Sequence, residues 1–169
     1  MSINAIIINR DLLSPLQHTV EFLRKEPRID NIYIIDQAST YQPLLDWYKT
    51  IPENVYYCSD NHGPHHAWDA KFYHMREGHF ILTDPDCDYT GVPEDWLDKM
   101  LEVLDNSPFF KVGFSLRIDD LPDTEVGRAA FNHESQFWKS KTKYGWDAHI
   151  DTTFALYRPN SAFSYDAIR

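Results

Sequence analysis

The chain has 169 residues, of which 43% are hydrophobic and 15% aromatic, and its formal net charge is −10 at pH 7. This length and apolar fraction are enough for one packed core, so we expect a single domain over residues 1–169. The acidic balance argues against nucleic-acid binding, because proteins that bind a phosphate backbone usually carry a basic face. An anionic ligand would therefore need a metal ion or a few well-placed cations.

The first half of the chain alternates apolar strands with amphipathic helices. Strands are predicted at residues 5–8, 31–35, 55–58 and 79–83, each a short apolar run. Helices are predicted after Ser14, after Thr40 and after the turn at residues 61–64, with Ser14 and Thr40 as N-caps. The order is therefore βαβα, which predicts helices packed against a parallel sheet.

The second half of the chain is less regular. Further elements are predicted as a helix from Pro93 to about residue 104, a strand at 111–118, a helix at 126–141 and a strand at 152–157. The whole pattern indicates an α/β fold with a mostly parallel sheet, because parallel neighbours need crossover connections. Such sheets bind ligands at the carboxyl ends of their strands, so the functional residues are expected there.

The cysteine content and the hydropathy pattern bear on the cellular compartment. The chain has two cysteines, Cys58 and Cys87, no charged-then-apolar leader and no apolar run of transmembrane length. We therefore expect unpaired thiols, no transmembrane segment and a cytoplasmic location. No repeat or Gly/Ser-rich linker marks a boundary between domains.

Two spaced carboxylates follow the fourth predicted strand. Pro85 favours an extended backbone at Asp84, so the side chains of Asp84 and Asp86 can lean the same way and share one Mg²⁺ or Mn²⁺. The alternative is a solvated acidic turn. An EF-hand calcium loop is disfavoured, because Tyr89 stands at the sixth position, where that loop needs glycine, and Asp95 stands at the twelfth in place of glutamate.

Four segments occur in a recognisable order over about residues 3–105. They are the apolar strand into Asn9-Arg10, then Ile34-Ile-Asp36-Gln-Ala-Ser39, then Asp60-Asn61-His-Gly63, then Leu82-Thr-Asp84-Pro-Asp86. In this order the sequence resembles the nucleotide-sugar-binding half of a GT-A glycosyltransferase, and is most similar to the family-2-like enzymes. The resemblance implies a three-layer αβα sandwich, with residues 106–169 forming an acceptor and catalytic half.

The resemblance also implies roles for individual residues. Asn9 and Asp36 would border the pocket for the nucleobase and ribose, and Asp84-Pro-Asp86 would be the "DxD" motif, with Asp86 as the main metal ligand and Asp84 facing the metal or the ribose. Further candidates for donor binding are Arg10, Ser39, Asn61 and Gly63. Each has a plain structural alternative, since a strand-end Arg10 can equally form a weak surface ion pair.

The histidine-rich turn is a departure from the family pattern. His62, His65 and His66 do not have the spacing of a zinc site, because adjacent side chains on a helix point in different directions. A helix start at Gly63 would instead help to shape the donor or acceptor pocket. Complete domains of this kind are commonly longer, so Arg169 ends either a minimal or a truncated domain, and a family-type histidine ligand from a later segment would then be missing.

Sugar transfer with inversion needs a carboxylate that takes the proton of the acceptor hydroxyl. The candidates are Asp151, Asp147 and Glu134, and Asp151 is favoured because it stands at the start of a buried strand that faces the ligand edge. Its alternative is an acid that caps a strand. Whether the reaction inverts or retains the anomeric configuration stays open.

The resemblance, together with the paired carboxylates, implies a metal-dependent glycosyltransferase of the hexosyltransferase type, with a UDP- or GDP-sugar donor, a glycan or other hydroxyl acceptor, and Mn²⁺ or Mg²⁺ as cofactor. A sugar-nucleotide pyrophosphorylase is disfavoured, because residues 9–12 after the first strand contain no glycine for a phosphate loop. A non-catalytic nucleotide-sugar or carbohydrate-binding module is the other alternative, and it would bind a donor without transfer or hydrolysis.

Overall fold

The computed structural model describes residues 3–169, which form an α/β fold around a six-stranded sheet. The strands are β1 (Ile3–Asn9), β2 (Ile29–Asp36), β3 (Asn54–Tyr57), β4 (His79–Thr83), β5 (Lys111–Gly113) and β6 (Ala155–Tyr157). The helices are α1 (Ser14–Arg24), α2 (Gln42–Tyr48), α3 (Trp96–Asn106) and α4 (Glu125–Glu134). Residues 1 and 2 of the predicted domain lie outside the described range, and the single-domain assignment stays a prediction.

The sheet has the strand order β3-β2-β1-β4-β6-β5 and is mostly parallel, as predicted. β1 pairs in parallel with both β2 and β4, β2 pairs in parallel with β3, and β6 runs antiparallel between β4 and β5. Asn9 lies opposite Asp36 in the register of β1 and β2, and Ile7 lies opposite Thr83 in β4. The polar residues that end these strands therefore meet at one edge.

Alternate side chains of the strands fill two apolar layers. On one face Ile7 packs with α1, α2 and α3, and on the other face Ile6 packs with Phe72 and Met75 from the segment before β4. All of these apolar side chains are buried. A central parallel strand is covered on both faces, which explains why β1 reads as a continuous apolar run.

Four predicted elements are shorter or different in the structure. The segment after Gly63 forms two 3₁₀-helical turns, Pro64–Trp68 and Ala70–Arg76, because Asp69 between them is extended. β5 ends at Gly113, and β6 begins only at Ala155. The helix predicted at 126–141 ends at Glu134 and continues as a 3₁₀ turn, Ser135–Trp138; only Gly127 of α4 is buried, so little tertiary packing extends it.

The predicted N-caps at Ser14 and Thr40 are wrong. The N-cap positions are Leu13 and Tyr41, and neither makes a side-chain cap. Instead the carboxylate of Asp11 reaches across from the loop after β1 and accepts hydrogen bonds from the backbone N–H groups of Thr40, at 2.6 Å, and Tyr41, at 2.8 Å. Asp11 adopts a left-handed conformation, with φ of 56°, that turns its carboxylate towards the next loop.

Both cysteines carry free thiols, as predicted. Within residues 3–169 every helix is too short or too polar to span a bilayer.

Lys111 of β5 is fully buried, and the effect of this burial on the free energy of unfolding depends on pH. Its ammonium donates to the carbonyl of Ile150 and to the hydroxyl of Tyr157 at 3.3 Å, yet burial lowers its pKa from 10.5 to about 8. Between pH 8 and 10 the unfolded chain therefore binds more protons than the folded one. We expect the free energy of unfolding of the wild type to rise by roughly 2 kcal/mol relative to Lys111→Met over this interval.

Urea unfolding of both proteins at pH 8, 9 and 10 measures this difference. Groups that are common to both proteins cancel in the comparison. A difference in unfolding free energy that stays constant across the three pH values would contradict the assignment.

Candidate functional site

A groove of about 320 Å³ lies at the carboxyl edge of the parallel strands. Its lining comes from the ends of β1, β2 and β4 and from the histidine-rich turn, and comprises Ile8, Asn9, Arg10, Leu12, Gln37, Asn61, Gly63, Pro64, Asp84, Pro85 and Asp86. These residues are far apart in the sequence, and the parallel strands bring them together. The groove is the position at which sheets of this type bind ligands.

A buried polar network forms the wall between β1 and β2. The hydroxyl of Tyr48 in α2 donates to one oxygen of Asp36 at 3.0 Å and accepts from the side-chain amide of Asn9 at 2.9 Å. The other oxygen of Asp36 accepts from the backbone N–H of Ser39 at 2.9 Å. Burial, with the charge of Asp36 nearby, raises the pKa of Tyr48, so the hydroxyl stays a donor. Asp36 is 1% exposed and supports the groove from behind.

Two buried polar atoms of the groove residues lack a partner. They are the side-chain oxygen of Asn9 and the side-chain amide nitrogen of Gln37, which make no hydrogen bond within residues 3–169. The oxygen of Gln37 is used, since it accepts from the backbone N–H of His62 at 2.8 Å. A buried polar atom without a partner is costly, so one acceptor and one donor here are suited to a polar ligand.

Asp84 is held in place by a residue from the other end of the chain. Its carboxylate accepts from the hydroxyl of Thr152 at 2.7 Å, and its backbone N–H donates to the carbonyl of Thr152 at 3.0 Å. Burial raises the pKa of Asp84, and the charges of Asp86 and Asp151 raise it further. The carboxylate thus lies in a region of concentrated negative charge, which a cation would relieve.

Asp86 is exposed and borders the groove beside Asp84. Between them the carbonyl of Pro85 accepts from the buried hydroxyl of Thr19 in α1 at 2.8 Å, which fixes the turn. Within the part of the chain that the structure describes, no three His, Cys, Asp or Glu side chains group as a metal site. Two carboxylates fit Mg²⁺ or Mn²⁺, which commonly take one or two protein carboxylates and complete their shell with phosphate and water.

The other predicted donor-binding residues lie around the same edge. Gly63 has φ of 81° and donates its N–H to the side chain of Asn61 at 3.0 Å, so this turn needs glycine. The hydroxyl of Ser39 accepts from the backbone N–H of Asp11 at 2.9 Å and joins two loops. Arg10 is exposed and is 4.0 Å from a carboxylate oxygen of Asp11, a weak surface pair that leaves it available to an anion.

The three predicted catalytic carboxylates have different surroundings. Asp151 is exposed, directly precedes Thr152 and so lies beside the groove. Asp147 is exposed in a backbone bridge with Ile168. Glu134 at the end of α4 forms an ion pair with Arg169 at 3.0 Å. Only Asp151 neighbours a residue that contacts Asp84, and the role of all three stays a prediction.

Gln37 and Thr152 were not singled out by the sequence analysis. Gln37 follows Asp36 directly at the end of β2, and this position is a signal that could have marked it. Thr152 contacts Asp84 across 68 positions of sequence, and nothing in the local pattern indicates that contact.

Replacing Asp84 by asparagine tests how much the buried negative charge destabilises the folded state. Because the pKa of Asp84 is raised, its ionisation destabilises the folded state once the pH exceeds the usual carboxyl range. We expect Asp84→Asn to raise the free energy of unfolding at pH 7, with the gain disappearing as the pH falls and the wild-type carboxyl is protonated. Denaturant unfolding at pH 4 and pH 7 measures it, and a variant less stable than wild type at pH 7 would contradict it.

Comparisons with known proteins support the fold. No protein-family model and no curated protein matches the chain. Among solved structures, a mannosyltransferase from Pyrobaculum calidifontis in complex with GDP-mannose and Mn²⁺ is similar, with a TM-score of 0.64 and 15% identity over 92% of this chain. This chain spans 44% of the length of that mannosyltransferase.

Two further structures are more weakly similar. A 4-diphosphocytidyl-2C-methyl-D-erythritol synthase from Anaerococcus prevotii has a TM-score of 0.47 and 12% identity, covering 93% of this chain and 71% of its own. A glucosyl-3-phosphoglycerate synthase from Mycobacterium tuberculosis in complex with UDP has a TM-score of 0.48 and 10% identity, covering 93% and 57%. Scores this low add nothing to the first match. With its mostly parallel sheet and its likeness to the mannosyltransferase, this chain has a GT-A-like fold.

Proposed function

We propose that this chain binds a nucleoside-diphosphate sugar in the groove at the strand edge and transfers its sugar to a hydroxyl acceptor with the help of Mn²⁺ or Mg²⁺. One observation carries the proposal: Asn9 and Gln37, each with a buried polar atom that lacks a partner, line the same groove as Asp84 and Asp86. The polar atoms of Asn9 and Gln37 suit an uncharged polar group, and the carboxylates of Asp84 and Asp86 suit a cation. A nucleoside diphosphate with a divalent metal has both features.

The nucleoside would lie against the ends of β1 and β2. The free oxygen of Asn9 accepts a hydrogen bond, and the free nitrogen of Gln37 donates one, so together they match a base or ribose edge that carries both a donor and an acceptor. Asp36 acts indirectly, because both of its oxygens are occupied by Tyr48 and Ser39. Its part is to fix Tyr48, which in turn orients the amide of Asn9.

The diphosphate would lie against the end of β4. Asp86 is exposed and is the main candidate ligand, while Asp84 is oriented by Thr152 and supports the metal or the ribose. A divalent ion held there would offset the negative charge of the diphosphate as it leaves. Arg10 lines the groove and would pair with a phosphate oxygen. The structural neighbour in complex with GDP-mannose and Mn²⁺ supports a donor of this class.

The acceptor would approach from the side of Asp151. This carboxylate is exposed, and its neighbour Thr152 touches Asp84, so the acceptor side adjoins the metal side. Asp147 stays a second candidate for the carboxylate that assists the acceptor hydroxyl. Glu134 is less suited, because Arg169 already neutralises it.

A thermal-shift panel tests the proposal. GDP, UDP, GDP-mannose and UDP-glucose are each added with Mn²⁺ or with EDTA, and donor hydrolysis is followed in parallel. We expect at least one nucleotide to raise the melting temperature only with Mn²⁺; at 100 times the dissociation constant, the added stability is about 2.7 kcal/mol. Equal shifts with EDTA, or no shift with any nucleotide, would contradict the proposal. Binding without hydrolysis or transfer would identify a non-catalytic binding module.

A further inference from the structure

The acceptor-side carboxylate has a histidine partner that the proposed function does not use. The Nε2 atom of His65 lies 3.4 Å from a carboxylate oxygen of Asp151. The two residues are 86 positions apart, and come from the 3₁₀ turn after Gly63 and from the loop before β6. Their side chains are 45% and 56% exposed, so a substrate can reach both of them.

This pair lies beside the proposed donor groove. Gly63 and Pro64, which immediately precede His65, line the groove. Thr152, which immediately follows Asp151, holds the carboxylate of Asp84 and its backbone N–H. The pair is thus attached on both sides to residues of the proposed donor site.

The surroundings hold the pair in position. The ring of His65 packs on Phe163 with ring centres 4.1 Å apart, and Tyr165 lies edge-on at 6.3 Å. Behind Asp151, the buried ammonium of Lys111 donates to the carbonyl of the preceding residue, Ile150. A surface His–Asp contact alone contributes little stability. Here the aromatic rings pack on the histidine, and the Lys111 hydrogen bond fixes the backbone beside the aspartate.

We propose that His65 is the base that takes the proton of the acceptor hydroxyl and that Asp151 is its positioning residue. The inference rests on the proposed function. The ring nitrogen of His65 that does not face Asp151 can accept a proton from a hydroxyl, while Asp151 orients the ring through the other nitrogen. Catalytic hydrogen bonds are often long before the substrate binds, so a separation of 3.4 Å is compatible with this role.

The step balances in atoms and charge. The acceptor oxygen forms a bond to the anomeric carbon of the donor sugar, and its proton moves to a ring nitrogen of His65. The bond between the anomeric carbon and the β-phosphate oxygen breaks, and its electron pair leaves with the nucleoside diphosphate. Asp151 keeps the ring oriented and stabilises the imidazolium. When water is the acceptor, the same step is hydrolysis of the donor.

Steady-state hydrolysis of the donor that stabilises the wild type tests the inference, with His65→Ala, Asp151→Asn and the control His74→Ala. His74 is exposed and contacts Tyr56 away from the groove. We expect His65→Ala to lower kcat by about 100-fold or more, with KM and the Mn²⁺-dependent thermal shift unchanged, and added imidazole to restore part of kcat. Asp151→Asn should lower kcat less and should not respond to imidazole. His74→Ala should behave as wild type.

Two outcomes would overturn the inference while leaving the proposed function intact. One is an unchanged kcat in His65→Ala, and the other is a larger loss in Asp151→Asn than in His65→Ala, which would make the carboxylate the base. A wild type that neither hydrolyses nor transfers any donor would refute the proposed enzyme and this inference together.

Discussion

Replacing Asp86 by asparagine is expected to abolish the Mn²⁺-dependent stabilisation by nucleotide and to reduce donor turnover by on the order of 100-fold, equivalent to about 3 kcal/mol. Asp86 is exposed and its side chain makes no hydrogen bond among those found in residues 3–169, so folding does not depend on it. Without ligand, the free energy of unfolding of the variant should therefore lie within about 0.5 kcal/mol of the wild-type value. Calorimetric titration of nucleotide in the presence of Mn²⁺ measures the loss of affinity directly.

Asp88→Asn is the matched control, because it removes the same charge two positions further along the same loop. Asp88 is exposed, and its carboxylate accepts from the backbone N–H of Thr90 at 2.8 Å, a bond that asparagine can also accept. If the effect came from general electrostatics, both variants would lose affinity equally. That result would contradict Asp86 as the ligand.

Replacing Asp36 by alanine is expected to lower the free energy of unfolding by about 3 kcal/mol. The substitution removes a buried acceptor and leaves the Tyr48 hydroxyl and the Ser39 N–H without their partner. Tyr48 then no longer fixes the amide of Asn9, so nucleotide affinity should fall as well. Denaturant unfolding gives the first quantity, and nucleotide titration with Mn²⁺ gives the second.

Asp46→Ala on the adjacent helix α2 is the control for this variant. Asp46 is exposed and pairs with Lys49 on the surface, a contact that contributes little. The stability of Asp46→Ala should stay close to that of the wild type. Equal losses in the two variants would show that the buried network between β1, β2 and α2 does not have the importance assigned to it.

The first half of the fold could be predicted because its signals are local. The central strands β1 and β4 are covered on both faces, so each is a continuous apolar run that is visible in the sequence. The polar residues after each run then identify the ligand edge. Asn9 and Asp84 could be placed there by this reasoning, and the structure does bring both into the groove.

The supporting contacts of the site could not be predicted, because they join distant segments. Tyr48 of α2 packs in the apolar core, yet its hydroxyl links Asn9 to Asp36. Thr152 holds Asp84, and Asp151 meets His65, through pairings that depend on the antiparallel placement of β6 beside β4. A pairing between two strands that are so far apart in the sequence is a property of the whole fold and has no local pattern.

The second half was predicted less well for a related reason. Val126 and Phe131 of α4 are exposed, so these apolar residues of the predicted helix do not face the core. The expected long strand after residue 110 ends at Gly113, where a side chain would meet the carbonyl of Phe154 at 2.5 Å. Close backbone approach there favours glycine and is invisible to hydrophobic periodicity.

In the proposed complex, Asp84 and Asp86 hold a divalent ion against the diphosphate of a bound nucleotide. Crystals grown with Mn²⁺ and the nucleotide that most raises the melting temperature, with diffraction recorded at the manganese absorption edge, would locate this ion. We expect an anomalous peak between the carboxylate of Asp86 and the diphosphate oxygens, with the base or ribose bonded to Asn9 and Gln37. Nucleotide bound with no anomalous peak beside Asp86, or bound outside the groove, would contradict it.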